Sequence, residues 1–328
     1  MSRINIEIFT VDAFTKSPFS GNPAGVCILE DSEIKSIDQR FPSEEEKDNF
    51  YKLIAREMNL SETCFLWRVG SSFDRYKLRW FTPTVEVSLC GHATLACSNI
   101  LFGRLESVDK LFFETKSGEL TVEKDNGILK MNFPQGDPQL VHQNGSSLFE
   151  TSTLVELLKN INITCENETI NDIVSEILLC RKTRKLLIIV KDFHLVLCAE
   201  PNEQALLSMD FKNDDLNANI RGISVSMSVN EMSEENKKTF TKMTTSDVNE
   251  IDYVTRYFSP WNGIKEDPVN GSSQTSMALY YSSKLNKKKL ICFQASKRTG
   301  ILFVEPIEGG RVSIGGNATT IMQGKMSV

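Results

Sequence analysis

The chain has 328 residues, of which 40% are hydrophobic and 24% are charged, and its formal net charge is -6. This length and composition are typical of a globular protein with two domains of ordinary size. No basic run is long enough to form a phosphate-binding face, so we expect no nucleic-acid partner. No apolar run approaches the roughly 20 residues that span a bilayer, so we expect no membrane partner.

The eight cysteines are scattered, mostly within apolar segments, and no C-x-x-C pair occurs. Because the chain also has only three histidines, a structural zinc site is not expected, and buried, reduced thiols are the better interpretation. The N-terminal residues show no basic region followed by an apolar run, so no secretory leader is expected. We therefore expect a cytoplasmic protein without a metal or another cofactor.

The first half of the chain contains short alternating or apolar runs that predict strands. In chain order these strands are residues 5–11, 24–29, 63–69, 76–81, 111–114 and 128–133. One helix is well marked between the second and third strands. Ser43 and Glu46 form a capping-box pattern, and apolar residues then recur at helical spacing from Phe50 to Met58.

The second half repeats this mixture of elements. The pattern predicts a helix over 151–160 and strands over 185–190, 194–199 and 222–229. Residues 134–147 contain Pro, Gly and Asn without periodicity, which indicates a linker. The chain is therefore of mixed α and β class, with more strands than helices.

A short segment occurs twice. The sequence RWFTP at 79–83 is matched by RYFSP at 256–260. In both copies we expect a strand to end at the proline, a loop to follow, and a glycine, Gly91 or Gly271, to open a helix of small residues. Chance can produce a five-residue match, but two matched parts in the same order indicate a duplicated half-fold.

Such a duplication has a chemical consequence. The N-terminus of a helix presents free backbone N–H groups and the positive end of the helix dipole, and it attracts anions. If two related domains face each other, two such helix ends can converge on a carboxylate or on charge that develops beside one. This arrangement would suit a small acidic substrate.

Several stretches from end to end of the chain resemble one known family. They are DAF at 12–14, FSGNP at 19–23, REMNLSET at 56–63, FTP at 81–83 with GHAT at 91–94, RYFSP at 256–260, EDPVNGS at 266–272 and QASKRTG at 294–300. These motifs, in this order, resemble the phenazine biosynthesis-like (PhzF-like) isomerases, which share the diaminopimelate epimerase fold. Residues 137–220 match only diffusely.

The resemblance implies a fold of α+β class with two pseudo-symmetric domains of the diaminopimelate epimerase type. Each domain would be a strongly curved, mostly antiparallel sheet around a central helix. The first domain would comprise 1–134 and about 318–328, because the chain end returns to it, and the second would comprise 135–317. Members of this family are usually homodimers, so a homodimer is expected.

The resemblance also implies a site in a cleft between the domains. In that family a glutamate at the position of Glu62 shuttles a proton. The implied catalytic residues are Glu62, His92 and Asp267, and the implied substrate-binding residues are Asn22, Gly91, Gly271 and Ser272. Ordinary structural roles are the alternatives: a loop carboxylate for Glu62, a solvent-facing residue for His92, turn formers for Asp267 and Asn22, and a helix cap for Ser272.

The predicted function is a cofactor-independent isomerase that moves a proton and a double bond on a small carboxylate-bearing substrate. A Cys-dependent racemase is the alternative within enzymes, but Cys90 would need a second thiol where Asn270 stands. A catalytically idle binding or scaffold protein is the alternative outside enzymes. Many family members differ at Asn270, Ser273 and Gln274, so the substrate of the phenazine pathway is not carried over to this chain.

Overall fold

A computed structural model of the chain describes residues 3–143, 146–147, 149–164, 169–209 and 220–328. Its strands are β1 Asn5–Ala13, β2 Asn22–Ile28, β3 Thr63–Arg68, β4 Arg75–Phe81, β5 Glu86–Val87, β6 Lys110–Thr115, β7 Gly118–Asp125, β8 Ile128–Pro134, β9 Pro138–Gln143, β10 Ser146–Ser147, β11 Val174–Cys180, β12 Lys185–Val190, β13 Gly222–Ser228, β14 Tyr253–Phe258, β15 Leu290–Gln294, β16 Gly300–Ile307, β17 Arg311–Gly316 and β18 Ala318–Ser327. Its helices are α1 Asp31–Arg40, α2 Glu44–Met58, α3 Gly91–Arg104, α4 Thr151–Asn160, α5 Ile170–Ile173, α6 Phe193–Cys198, α7 Glu203–Ser208, α8 Glu234–Thr241 and α9 Gln274–Leu285. Within these described ranges, no helix has the length and apolar character that crossing a membrane requires.

The chain forms two compact units. Unit 1 comprises Met1–Asn132 and Gly315–Val328, and unit 2 comprises Phe133–Ile314. The boundaries fall inside strands β8 and β17. The limits expected from the sequence, at 134 and about 318, lie close to these positions.

Unit 1 is built on a sheet in which β18, β1, β2, β3, β4, β6, β7 and β8 are neighbours in that order. The pairs β2–β3 and β4–β6 are parallel, and the other adjacent pairs are antiparallel. Helix α3 packs against β1, β2, β3, β7 and β18. Because α3 buries residues on nearly every side, it must be enclosed rather than lie on a surface. The expected sheet around a central helix is therefore present.

Unit 2 has a sheet in which β10, β9, β11, β12, β13, β14, β15 and β16 are neighbours in that order. The pairs β12–β13 and β14–β15 are parallel. The alternation of antiparallel and parallel pairs from β11 to β16 is the same as that from β1 to β7. Helix α9 precedes β15 as α3 precedes β6. The duplicated half-fold that the repeated segment predicts is confirmed.

The arginines of the repeated segment have the same structural role in both units. Arg79 in β4 forms ion pairs with Asp48 of α2 and with Glu86, the latter at 2.8 Å. Arg256 in β14 binds both carboxylate oxygens of Glu266, at 2.7 and 2.8 Å, and donates to backbone carbonyls at the end of α6. Each arginine therefore ties its strand to a neighbouring helix.

Two predicted helices are confirmed with their boundaries. Helix α2 begins after Ser43, whose Oγ accepts a hydrogen bond from the Glu46 N–H at 3.2 Å, while a Glu46 carboxylate oxygen accepts from the Ser43 N–H at 3.0 Å. This reciprocal pair is the predicted capping box. Helix α4 covers the predicted range 151–160.

The strand predicted over 194–199 is wrong, because this segment lies in helix α6, Phe193–Cys198. The run FHLVLC is apolar without clear alternation, and such a run does not distinguish a strand from a buried helix. The deciding signal is Asp192, whose carboxylate accepts a hydrogen bond from the His194 N–H at 2.7 Å and caps the helix.

The linker predicted over 134–147 is also wrong, because it contains strands β9 and β10. Strand β9 pairs with β11 and begins at Pro138, and the first residue of a strand tolerates a proline. The partner strand is far along the chain, so local composition could not indicate the pairing. Asn144 and Gly145 lie outside the described residues.

The burial expected of the thiols is confirmed for most of those that the structure describes. Of the seven cysteines described, all but the half-buried Cys198 are buried. Cys165 lies outside the described residues.

Gly21, in the turn between β1 and β2, provides a stability test. Its φ is 69°, and an added Cβ would lie 2.1 Å from the carbonyl oxygen of Ala13. Gly70 has nearly the same φ, 68°, with no atom within 4 Å of an added Cβ. We expect Gly70→Ala to lower the free energy of unfolding by roughly 1–2 kcal/mol from backbone strain alone. Gly21→Ala should cost clearly more, because the β1 backbone must also shift.

Urea unfolding of both variants, monitored by circular dichroism, measures this difference. Equal losses of stability in the two variants would contradict the close approach at Gly21.

Candidate functional site

Glu62 is positioned between a helix end and a strand start. Helix α2 ends at Met58, and the next residue, Asn59, adopts a left-handed conformation with φ of 51° and reverses the chain. The carbonyl oxygen of Glu62 accepts a hydrogen bond from the Gly25 N–H at 3.0 Å, which fixes this residue beside β2 just before β3 begins. Its side chain is 13% exposed. Glu62 is therefore a largely buried carboxylate on a fixed backbone rather than a mobile loop residue.

His92 is the second residue of α3, and its side chain is 10% exposed. The helix starts after Cys90, whose carbonyl oxygen accepts from the Thr94 N–H at 3.1 Å and from its hydroxyl at 2.6 Å. The Cys90 side chain forms no capping hydrogen bond. The first N–H groups of α3, including that of Gly91, have no acceptor within the helix, so this end carries partial positive charge.

Glu62 and His92 meet at this helix end. Oε2 of Glu62 lies 3.3 Å from Nε2 of His92. The two atoms are in close contact, but no hydrogen bond joins them, and Oε2 is buried without one. Sγ of Cys90 lies 3.5 Å from Nδ1 of the same imidazole. A carboxylate, an imidazole and a thiol are thus grouped beside the start of α3.

Asn22 is the first residue of β2 and is buried. It pairs with Ala13 of β1 across the turn that contains Gly21. The turn is held by the Asp12 carboxylate, which accepts from the Phe19 N–H at 2.9 Å. Asn22 is therefore a fixed polar residue on the strand next to β3.

The candidate residues of unit 2 lie in one loop between β14 and α9. Asn270 connects them: its Nδ2 donates to Asp267 Oδ2 at 2.7 Å, and its Oδ1 accepts from the Ser272 hydroxyl at 3.0 Å and from the Ser273 N–H at 2.6 Å. The structure therefore brings Asp267, Gly271 and Ser272 into one hydrogen-bonded loop. From the sequence, Asn270 was a departure from the family pattern and the residue in the place of a second thiol, without a role in this loop.

The expectation that Gly271 opens a helix is wrong. Helix α9 begins at Gln274, and Gly271 lies in the preceding turn, where its carbonyl oxygen accepts from the Gln274 N–H at 3.1 Å. The side-chain oxygen of Asn270 accepts a hydrogen bond from the Ser273 N–H. This N–H is therefore not available to a ligand, as a free N–H at a helix start would be. Ser272 is exposed and does not cap the helix.

The family relationship follows from the sequence comparisons. The model of the family described as phenazine biosynthesis-like protein matches residues 11–324. An uncharacterized isomerase of Pseudomonas aeruginosa is 34% identical, with 98% of this chain and 99% of that protein covered. The chain belongs to the phenazine biosynthesis-like family. A crystal structure of a PhzF-family protein from Enterococcus faecalis has a TM-score of 0.73 and 29% identity, and covers 99% of this chain and 100% of that one.

More distant structures share the fold alone. A predicted epimerase from Pseudomonas aeruginosa has a TM-score of 0.63 at 15% identity, with 98% of this chain and 99% of that chain covered. This likeness places the phenazine biosynthesis-like chain in the two-domain fold that the motifs predicted.

Two further residues near the unit 2 loop were missed by the sequence analysis. Gln294 of β15 is fully buried; its Nε2 donates to the Asp267 carbonyl at 2.5 Å, and its Oε1 accepts from the Asn270 N–H at 2.7 Å. Lys185 is buried at the start of β12, and burial lowers the pKa of its ammonium to about 8, opposed by the charges of Cys180 and Asp267. A polar residue in an apolar strand was the available signal for both.

Gln294 tests whether the loop depends on its side-chain amide. We expect Gln294→Leu to lower the free energy of unfolding by about 1–3 kcal/mol for each buried group that it leaves without a partner. Gln323→Leu is the matched control, because Gln323 is exposed and donates to Glu7 at the surface. Thermal unfolding of both variants gives the comparison. A loss of stability in Gln294→Leu no larger than that in the control would show that the loop does not depend on the Gln294 side chain.

Proposed function

We propose that this protein is an isomerase that moves a proton, and with it a double bond, on a small carboxylate-bearing compound. The observation that carries the proposal is the buried Glu62 carboxylate beside His92 and the N-terminal end of α3. The isomerase named in Pseudomonas aeruginosa, at 34% identity over nearly the whole chain, supports the reaction class. In the proposal no cofactor takes part, because one carboxylate can both accept and return the proton.

The proposed reaction consists of two proton transfers, both made by Glu62. The ionised Glu62 removes a proton from a carbon made acidic by a neighbouring unsaturated or carboxyl-bearing group, and the electron pair of that C–H bond delocalises into the substrate. Protonated Glu62 then delivers the proton to another carbon on the same face, and the carboxylate is restored. The N–H groups at the start of α3 stabilise the delocalised anion.

The lack of a strong ion pair at Glu62 supports its role as a base. Among the residues that the structure describes, no lysine or arginine forms an ion pair with Glu62, and its neighbour is the imidazole of His92 at 3.3 Å. A carboxylate fixed by an arginine would be a poor proton acceptor, because the ion pair favours the charged form. We propose that His92 orients the substrate, and that Asn22 and Gly91 contribute to its binding.

The role of unit 2 stays a prediction. We propose that Asp267, together with Ser272 and the backbone at Gly271, binds polar groups of a substrate. The hydrogen bond from Asn270 to Asp267 supports a fixed orientation of this carboxylate. Assembly as a homodimer and a cytoplasmic location are likewise proposals that rest on the family resemblance and on the reduced thiols.

Replacement of the proposed base is the direct test of the mechanism. Glu62→Gln keeps the shape of the side chain but cannot accept a proton, so turnover should fall by about 10²–10⁴-fold. The assay is deuterium incorporation from D₂O into a panel of small cyclic amino and hydroxy acids and unsaturated carboxylates, followed by NMR. Glu57→Gln is the matched control, because Glu57 is an exposed residue of α2.

Wild-type turnover by Glu62→Gln on an exchanging compound would rule out Glu62 as the base. No exchange by the wild-type protein across the panel would count against an isomerase of this substrate class.

A thiol-dependent racemase is the second candidate, and the 3.5 Å between Cys90 Sγ and His92 Nδ1 favours it. Such an enzyme needs a second thiol, but Asn270 stands at the expected position. The next cysteine, Cys292, is fully buried in β15, and burial raises the pKa of its thiol and disfavours the reactive thiolate.

The two candidates differ in what they require of Cys90. The Glu62 mechanism predicts that Cys90→Ala folds and retains turnover, and that treatment with a chelator leaves the rate unchanged. The measurement is the same deuterium incorporation, with thermal unfolding as the check on folding. Loss of turnover in a folded Cys90→Ala protein would favour the racemase.

A further inference from the structure

Three side chains with different donor atoms converge at the start of α3. A carboxylate oxygen of Glu62, Sγ of Cys90 and a ring nitrogen of His92 all lie within 4.8 Å of one another. Oε2 of Glu62 is 3.3 Å from Nε2 of His92, and Sγ of Cys90 is 4.0 Å from the same nitrogen. The isomerase mechanism uses the carboxylate and the imidazole but has no role for the thiol.

The separation of the carboxylate oxygen and the imidazole nitrogen matches an edge of a zinc coordination sphere. Zn²⁺ binds thiolate sulfur at about 2.3 Å and imidazole nitrogen or carboxylate oxygen at about 2.0–2.2 Å, with tetrahedral geometry. Adjacent ligand atoms are then roughly 3.3–3.6 Å apart, a separation that follows from those bond lengths. The nitrogen–oxygen distance already has this value. The Cys90 side chain must turn to bring its sulfur, which now lies closer to Nδ1 than to Nε2, to the Nε2 edge of the ring.

The site is also held by its backbone. Cys90 is the residue before α3 and His92 is its second residue, so the helix fixes both. The hydrogen bond from the Gly25 N–H to the Glu62 carbonyl fixes the third. The carboxylate oxygen that faces His92 is buried without a hydrogen bond, which leaves it available to a cation.

We propose that Glu62, Cys90 and His92 form a binding site for one zinc ion. Binding releases the Cys90 thiol proton to water, because the thiolate is the ligand. Three protein ligands leave the fourth position open to water or to a substrate oxygen. If Glu62 is the base of the proposed isomerase, zinc inhibits turnover, because a coordinated carboxylate cannot accept the proton. The expected inhibition by zinc rests on the proposed function, whereas the metal site does not.

Cobalt(II) is the probe, because it takes the same ligands as zinc and absorbs light. Titration of reduced, metal-free protein should give one equivalent of bound Co²⁺, with a thiolate-to-metal charge-transfer band and the strong visible bands of tetrahedral geometry. Added Zn²⁺ should remove these bands. In Cys90→Ala the thiolate band should disappear and the affinity should fall at least about tenfold. In Glu62→Gln the thiolate band should persist with weaker affinity.

The matched control is a second cysteine–histidine pair in unit 2. Sγ of Cys198 lies 3.0 Å from Nε2 of His194 in α6, and this pair belongs to no three-residue donor group among the residues that the structure describes. Cys198→Ala should therefore keep the full cobalt spectrum. Circular dichroism of each variant shows whether it is folded.

The absence of a one-equivalent band, or its survival in folded Cys90→Ala, overturns the site. Zinc inhibition is measured separately by deuterium incorporation. A Cys90-dependent cobalt spectrum without zinc inhibition supports the metal site and overturns the assignment of Glu62 as the base. A protein that exchanges no deuterium but shows this spectrum still supports the site.

Discussion

The enclosure of helix α3 is the constraint on which the candidate site depends. Its sequence, GHATLACSNILFGR, has small and apolar residues on almost every side. Exposing any face of this helix to water would therefore lose a large area of buried apolar surface. The curved sheet of unit 1 satisfies this requirement by packing β1, β2, β3, β7 and β18 around it. The helix start, and with it His92, is fixed where β3 begins, and Glu62 stands immediately before that strand.

Unit 2 has the same strand order, but the start of its helix α9 contains buried polar residues. Helix α9 buries Gln274, Thr275 and Ser276 in its first turn. Most buried polar groups in proteins are hydrogen-bonded, and Gln274 accepts a hydrogen bond at its Oε1 from the Tyr253 hydroxyl at 2.6 Å. The loop before the helix is held in the same way by Gln294 and Asn270. The two half-folds thus share strand order but differ in chemistry at their helix starts.

The group beside α3 has more than one chemical capacity. A carboxylate and an imidazole in contact are suited to proton transfer, and the same pair with a thiolate is suited to a divalent metal. The Cys90 thiol distinguishes these two uses. It has no role in an isomerisation with a single base, whereas the proposed metal site needs it as the third protein ligand. The observation that joins the two proposals is the buried oxygen of Glu62 that has no hydrogen bond.

The sequence by itself determined the family, the capping box at Ser43, the duplicated half-fold and the identity of Glu62 and His92 as candidates, since these depend on local pattern and short motifs. The tertiary structure decided what depends on distant partners. Strand β9 exists because it pairs with β11, and the run FHLVLC became a helix through its Asp192 cap. The grouping of Cys90 with Glu62, and the role of Gln294 in holding the Asp267 loop, arise from contacts between segments far apart in the chain, and no local pattern encodes such distances.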